Sequence, residues 1–214
     1  MNRLILGYVF LFFTILSLNS CQYVFDIIDL ADKAKNQYIE TTSVDEAINF
    51  EEDFEWTSTV DGFGLMLPIY LRPKHEMEDM FSLFHADVEN QIEMAGLKQP
   101  KNEIIKDLES HESYEDSLSV IQNYAQLVLN NYKDYIGLER VIKQKSMQLR
   151  GLNLEIIESV SSKHSEISID KIGCTVAVLE GENFFYTLIY LCKGIEYEKY
   201  RISFEKSIST FREL

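Results

Sequence analysis

The sequence predicts an α+β fold, namely an α/β/α sandwich with a central antiparallel sheet, preceded by an N-terminal amphipathic helix. Strand-like segments are grouped between helical segments, and short turns join consecutive strands. This pattern is typical of an antiparallel sheet with helices on its faces. The longest helical segment carries one apolar stripe, which has to pack on another apolar surface.

The predicted N-terminal helix runs from about Tyr23 to Ile39, where apolar residues recur at helical spacing with charged residues between them. It could pack on the domain, lie on a membrane or mediate self-association, and the sequence does not choose among these. The mostly polar stretch from Thr41 to Asp53 is predicted to be a linker. Three segments follow from this: 1–20, 21–53 and a globular domain over 54–214.

The domain is predicted to begin with a hairpin. Apolar and polar residues alternate from Phe54 to Val60, Asp61-Gly62 is a hairpin-turn signal, and Phe63 to Tyr70 reads as the second strand. Proline cannot donate to a strand ladder, so Pro68 places this strand at an edge or marks its end.

The next segment gives a weaker signal. Met80 to His85 and Gln91 to Leu97 are predicted to be strands, and the polar segment from Lys98 to His111 is predicted to be a loop.

The clearest helix is predicted to start at Ser113, with Asp116 three residues later as in a capping box, and to end at Gly137. Its apolar stripe consists of Leu118, Ile121, Ala125, Val128, Leu129, Tyr132 and Ile136. Four strands are predicted after it: Arg140 to Leu149, Leu152 to Val160, Ile167 to Leu179 and Phe184 to Cys192. A closing helix is predicted from apolar residues every three or four positions: Tyr197, Tyr200, Phe204, Ile208 and Phe211.

Two cysteines fall in the predicted last hairpin. A turn near Gly181-Glu182 would pair Cys174 with about Ile189, roughly three residues short of Cys192. Since a disulfide needs Cα atoms within ~7 Å, two buried free thiols are expected.

The N-terminus reads as an export signal that ends in a lipidation site. The apolar run from Leu4 to Leu18 follows a lone Arg3 and is shorter than the ~20 residues that span a bilayer. Leu18-Asn19-Ser20-Cys21 resembles the lipobox of bacterial lipoproteins, in which the peptide before the cysteine is removed and the cysteine receives acyl chains such as palmitate. The alternative is an ordinary signal peptide with an incidental cysteine.

Several acyl chains on Cys21 would hold the protein on a membrane durably, which one chain would not do. Gln22 follows the cysteine in place of Asp, so by resemblance to lipoprotein sorting rules the outer membrane is favoured over the inner. The lack of a directly following acidic cluster favours the periplasmic face.

The chain carries 35 acidic and 20 basic side chains, a formal charge of -15. Such a field repels nucleic acid and anionic lipid surfaces, so no nucleic-acid partner is expected.

The domain resembles the PsbP-like superfamily, which includes photosystem II extrinsic proteins, the Ran-binding nuclear import factor and many bacterial lipoproteins. Four segments carry the resemblance, in order: Phe63-Gly64-Leu65-Met66-Leu67-Pro68, Tyr124-Ala125-Gln126-Leu127-Val128, Gly181-Glu182-Asn183-Phe184-Phe185-Tyr186-Thr187-Leu188 and Ile208-Ser209-Thr210-Phe211-Arg212-Glu213-Leu214. The resemblance implies an α/β/α sandwich around an antiparallel sheet. It implies no site residue, since no motif here matches the metal-, photosystem- or Ran-contacting residues of that superfamily.

No spacing in the sequence predicts catalysis, a metal site or a cofactor. The chain has no Gly-x-Ser-x-Gly elbow and no glycine-rich phosphate loop, and close carboxylates such as Glu155 and Glu158 are expected by chance at this composition. Its histidines occur singly, at His75, His85, His111 and His164.

One aromatic group is a candidate binding surface. Strand alternation places Phe184, Tyr186 and Tyr190 on one face and Phe185 on the other. An uncovered face could hold a partner or an apolar ligand, and core packing on both faces is the alternative.

The sequence therefore predicts a non-enzymatic envelope lipoprotein that binds an unidentified envelope protein. The second hypothesis is capture of a small apolar ligand between helix and sheet. Partner, process and oligomeric state are beyond the sequence.

Overall fold

A computed structural model describes residues 53–77, 80–111, 114–136, 138–161 and 171–214. The predicted signal segment, Cys21 and the predicted helix from Tyr23 to Ile39 lie outside the described residues. The strands are β1 (Phe54–Ser58), β2 (Phe63–Pro68), β3 (Arg72–Pro73), β4 (Leu83–Asp87), β5 (Ile92–Pro100), β6 (Leu138–Leu149), β7 (Leu152–Ser161), β8 (Ile172–Glu180), β9 (Phe184–Lys193) and β10 (Arg212–Glu213). The α-helices are α1 (Lys101–Glu109), α2 (Val120–Ile136) and α3 (Tyr197–Ser209).

The strands form two antiparallel sheets. Seven strands lie in the order β3-β4-β5-β9-β8-β7-β6, and three in the order β1-β2-β10. All the described neighbours pair antiparallel. The predicted α+β class with a large antiparallel sheet is confirmed. None of the helices in the described ranges is long and apolar enough to cross a bilayer.

The large sheet is covered on both faces. α1 and α2 pack on one face over a core that includes Val176, Val178 and Phe185. α3 and β2 pack on the other face over a core that includes Tyr190 and Phe204. A helix the length of α3 spans ~20 Å, whereas seven strands extend over ~30 Å. α3 alone is therefore too short to cover this face of the large sheet, and the three-stranded sheet covers the rest of it.

The predicted hairpin at the start of the domain is confirmed as β1 and β2, joined through a turn in which Gly62 has φ +84°. Trp56 pairs with Met66, and Pro68 is the last residue of β2. β10 lies on the other side of β2, with Arg212 opposite Gly64.

The predicted loop from Lys98 to His111 is wrong. β5 continues to Pro100, and α1 follows directly. The helix is polar on most of its surface, but Leu108 is buried and Ile104 and Ile105 pack against the same core. One narrow apolar stripe is therefore enough to hold this helix on the sheet.

The start of α2 also differs from the prediction, since the helix begins at Val120 and Ser113 lies outside the described residues. Ser119 closes the capping box. Its backbone N–H donates to Oε1 of Gln122 at 3.0 Å, and the N–H of Gln122 donates to Oγ of Ser119 at 3.4 Å. The Ser-x-x-Gln pair thus sets the boundary.

Both domain cysteines are buried and free, as predicted. The predicted pairing was wrong by two residues, because Cys174 lies opposite Leu191 and Cys192 lies opposite Gly173. The two thiols face opposite cores, Cys174 under α2 and Cys192 under α3. Burial raises the pKa of the Cys192 thiol to about 12.

Candidate functional site

The two carboxylates of β7 do not form a catalytic pair. Glu155 and Glu158 are three residues apart in β7, and because successive side chains of a strand alternate, they point to opposite faces of the sheet. Ser146 donates a hydrogen bond to Glu155 at 2.5 Å. Lys143 Nζ lies 3.2 Å from Glu158 and 3.0 Å from Glu205. Each carboxylate is therefore held by the domain's own polar groups.

Within the described ranges, no group of three or more His, Cys, Asp or Glu side chains could hold a metal ion. His85 is buried in β4, opposite Met94 of β5. Burial lowers the pKa of His85, which keeps the imidazole neutral at ordinary pH. We therefore assign His85 to packing.

The predicted alternation of the β9 aromatics is confirmed. Tyr186 and Tyr190 belong to the α3-side core, with Phe184 packed against it, whereas Phe185 belongs to the α2-side core. The ring of Phe185 lies 5.0 Å from that of Tyr124 on α2.

Two of the three proposed contact residues lie inside the domain. The ring centroids of Tyr190 and Phe204 are 4.7 Å apart, and the Tyr190 hydroxyl bonds Ser207 at 2.9 Å. Tyr186 lies under β2, with its ring 5.5 Å from that of Phe63. Phe184 is half-buried, and Lys98 Nζ lies 4.1 Å from its ring centroid. Tyr186 and Tyr190 thus pack in the core between the large sheet, β2 and α3, and a role of these aromatics toward a ligand stays a prediction.

A groove of about 450 Å³ lies on the outer face of the three-stranded sheet. We call it the Trp56 groove. It is lined by Trp56, Met66, Arg150, Thr210 and Arg212. These residues come from β1, β2, the β6–β7 turn, the end of α3 and β10.

The floor of the Trp56 groove depends on a glycine. The indole of Trp56 lies so close to Gly64 that a Cβ built there would come within 2.6 Å of a ring carbon. Gly64 is the residue that β2 pairs with Arg212 of β10. The absent side chain lets the indole lie flat against β2, and the Arg212 guanidinium then lies 5.8 Å from the ring centroid.

Arg150 closes the groove from the tip of the β6–β7 hairpin. It has φ +52° and Gly151 has φ +86°, which is the backbone of a type I′ turn. One guanidinium nitrogen of Arg150 donates to the carbonyl oxygens of Thr210 at 3.0 Å and Phe211 at 2.6 Å. These bonds fix the hairpin tip against the end of α3.

The groove wall is tied together by hydroxyls. The Met66 N–H donates to Oγ1 of Thr210 at 2.8 Å, and Ser207 Oγ donates to the Met66 carbonyl at 2.6 Å. The end of α3 thereby continues the hydrogen bonding that β10 makes to β2. The backbone around the groove is therefore held by hydrogen bonds between α3, β2 and β10.

Trp56 is the only tryptophan of the chain and is 43% exposed, whereas the other aromatic side chains that the structure describes are buried or half-buried. The alternation from Phe54 to Val60 predicts that Trp56 lies in the first strand, but it predicts no role for this side chain. Its strand partner and Gly64 could be inferred from the hairpin. Arg150 and Arg212, which lie far away in sequence, could not.

The architecture is that of a PsbP-like fold. The solution structure of the cyanobacterial PsbP protein CyanoP from Synechocystis matches with a TM-score of 0.51 and 9% identity, over 81% of this chain and 98% of that chain. The Ran-binding protein Mog1p of Saccharomyces cerevisiae matches with a TM-score of 0.50 and 6% identity, over 75% of this chain and 95% of that chain.

LpqN of Mycobacterium tuberculosis, involved in cell envelope biogenesis, aligns with a TM-score of 0.39 and 11% identity, over 85% of this chain and 94% of that chain. No protein-family model and no curated protein matches the sequence. At these identities the solved structures establish the fold alone, and the site has to be argued from its own residues.

Proposed function

We propose that the protein is a non-enzymatic binding protein of the bacterial cell envelope, held on a membrane by acyl chains on Cys21, and that its domain binds a protein partner through the Trp56 groove. Gln22 after the lipobox cysteine supports the outer membrane, and the lack of a directly following acidic cluster supports the periplasmic face. The observation that carries the binding role is the exposed indole beside two arginines.

Tryptophan and arginine are enriched among the residues that dominate protein interfaces. Burying a side chain such as Trp56 against a partner would remove apolar surface from water, which stabilises a complex by ~25 cal/mol for each Å². The bonds of Thr210 and Ser207 to Met66 hold the surrounding backbone in place before a partner arrives. Less ordering entropy is then lost on binding.

The proposal is tested by cross-linking and immunoprecipitation of the full chain from envelopes. Wild type is compared with Trp56→Ala, and Ile195→Ala serves as the matched control because Ile195 is an exposed apolar side chain that does not line the groove. We expect the same partner to be recovered with wild type and Ile195→Ala, and lost with Trp56→Ala.

Circular dichroism and urea unfolding verify that Trp56→Ala is folded. Equal recovery of the partner by all three proteins would refute the groove as the contact surface. Recovery of no partner by any of them would refute the binding role itself.

A further inference from the structure

Among the described residues, the guanidinium of Arg212 has no carboxylate partner. Its side chain is exposed, and the guanidinium lies beside the Trp56 ring. The neighbouring carboxylate of Glu213 does not neutralise the charge of the Arg212 guanidinium. Glu213 follows Arg212 along β10 and pairs with Phe63, so its side chain is directed to the other face, near Tyr186.

Arg150 is held in place while part of its donor set stays available. A guanidinium has five N–H donors. One nitrogen of Arg150 is engaged by the carbonyl oxygens of Thr210 and Phe211, which leaves the other nitrogens for a ligand. An arginine anchored in this way loses little further side-chain entropy when it binds a carboxylate bidentately.

The charge of the groove is opposite to that of the chain. The chain as a whole is -15, whereas the described residues that line the groove include two arginines and no acidic side chain. Glu55, beside Trp56 in β1, pairs with Leu67 and so lies on the opposite face. In this part of the chain as described, two cations lie beside an indole with no carboxylate partner, which suits a group that is both anionic and apolar.

The edge position of β1 adds a main-chain element. β1 is an outer strand of the three-stranded sheet. An extended segment that runs beside it would place every second side chain over the face that carries Trp56 and Met66.

We propose that the Trp56 groove binds an extended peptide segment that presents a carboxylate next to a large apolar side chain, with Arg212 and Arg150 binding the carboxylate and Trp56 packing on the apolar group. This inference rests on the proposed function and names the chemistry of its partner. A lipid headgroup offers anions too, but the negative field of the chain opposes approach to an anionic bilayer.

The fluorescence of Trp56 reports directly on the groove, because the chain has no other tryptophan. The full chain is titrated with three matched peptides. Acetyl-Val-Phe-Glu-Val-amide carries a side-chain carboxylate, acetyl-Val-Phe-Val-Val with a free C-terminus carries a terminal one, and acetyl-Val-Phe-Gln-Val-amide carries none. We expect at least one carboxylate peptide to bind about tenfold or more tightly than the glutamine peptide. Comparison of the two carboxylate peptides identifies the source of the anion.

Arg212→Gln is expected to weaken binding of the preferred peptide by about tenfold to a hundredfold and to leave the glutamine peptide unaffected. Arg72→Gln is the matched control, because Arg72 is an exposed arginine of β3 outside the groove. The substitution keeps the backbone pairing of Arg212 with Gly64, and among the described residues the Arg212 side chain makes no hydrogen bond, so this variant separates recognition from stability.

Equal binding of the three peptides, or no binding of any, would overturn the inference. Stronger binding to phosphatidylglycerol vesicles than to either carboxylate peptide would overturn it as well and would indicate a membrane surface. A partner that is lost with Trp56→Ala but retained with Arg212→Gln would support the proposed function. The same result would refute the inference that the partner is bound through a carboxylate.

Discussion

The indole of Trp56 lies against the bare Cα of Gly64, with a ring carbon 2.6 Å from the position that a Cβ would occupy. The Thr57 carbonyl oxygen is 2.8 Å from the same position, so a Cβ at residue 64 would also clash with the backbone of β1. We expect Gly64→Ala to displace the indole and to lower the free energy of unfolding by ~1–3 kcal/mol. The emission maximum of the single tryptophan should move to the red.

Gly173→Ala is the control for this change. A Cβ at Gly173 would overlap the ring of Tyr197, so the domain should again lose stability. Trp56 does not contact that region, and its emission should stay unchanged in the folded state. Emission that is unchanged in Gly64→Ala would contradict the packing of the groove floor.

Ser207→Ala tests the hydroxyl that joins α3 to both sheets. Ser207 bonds the buried hydroxyl of Tyr190 at 2.9 Å and donates to the carbonyl of Met66 at 2.6 Å. Removing it leaves buried polar groups unpaired, which costs ~1–3 kcal/mol of folding stability in urea unfolding.

Ser209→Ala provides the matched comparison, because Ser209 is exposed on the same helix. It should change stability by less than ~0.5 kcal/mol. Equal effects of the two substitutions would show that the buried hydroxyl contributes nothing specific.

Glu180 should make folding stability depend on acid pH. Burial alone would raise the pKa of this carboxyl, but Lys101 Nζ at 2.6 Å and the Asn153 amide at 2.9 Å outweigh it and hold the pKa below 4.5. A lowered pKa in the folded state stabilises folding above pH 4.5, and that contribution is lost as the pH falls through the folded value.

Urea unfolding of wild type and Glu180→Gln over a pH series measures this contribution. The difference in unfolding free energy between them should be largest at neutral pH and should shrink as the pH falls below 4.5. Glu182→Gln, at an exposed position of the same turn, should follow the wild-type profile. A difference for Glu180→Gln that is constant with pH would argue against the ion pair.

Cys174 and Cys192 should resist thiol reagents in the folded protein. Both are buried, and burial raises the pKa of each thiol and so suppresses the reactive thiolate. In a Cys21→Ser background, iodoacetamide should modify them only as fast as the domain opens, and rapidly in urea. Mass spectrometry counts the modified thiols. Rapid labelling under native conditions would contradict their burial.

Cys21 should carry acyl chains in a bacterial host. Labelling cells with a radioactive fatty acid should mark the wild-type protein in the membrane fraction and leave Cys21→Ala unmarked. Cys192→Ala controls for the loss of a cysteine elsewhere in the chain and should be labelled like wild type. An unlabelled wild-type protein would refute the anchor.

Much of the fold follows from local patterns. The period-two alternation in β9 predicted which aromatics share a face, because successive strand residues point to opposite sides. Asp61-Gly62 predicted the β1–β2 turn for an equally local reason. α1 was missed because only Ile104, Ile105 and Leu108 contact the core, and its polar remainder resembles a loop.

Other features depend on contacts between distant segments. Two serines near the start of α2 are followed three residues later by a capping partner in the sequence, and α2 begins at Val120 behind the capping box of Ser119 and Gln122. The turn between β8 and β9 is centred one residue later than expected, which changed the residue opposite Cys174. The Trp56 groove needs the hairpin tip, the end of α3 and β10 to meet, and no local pattern encodes that meeting.

The pairing of β1 and β10 with the same strand has a practical consequence for anyone who handles this protein. Leu214 donates its N–H to the Gly62 carbonyl at 2.9 Å. This bond holds Leu214 close to Arg212, which lines the Trp56 groove. A purification handle or fluorescent fusion attached after Leu214 would start two residues from that arginine. It would compete with the peptide that we propose for the groove, and reporters are better introduced elsewhere in the chain.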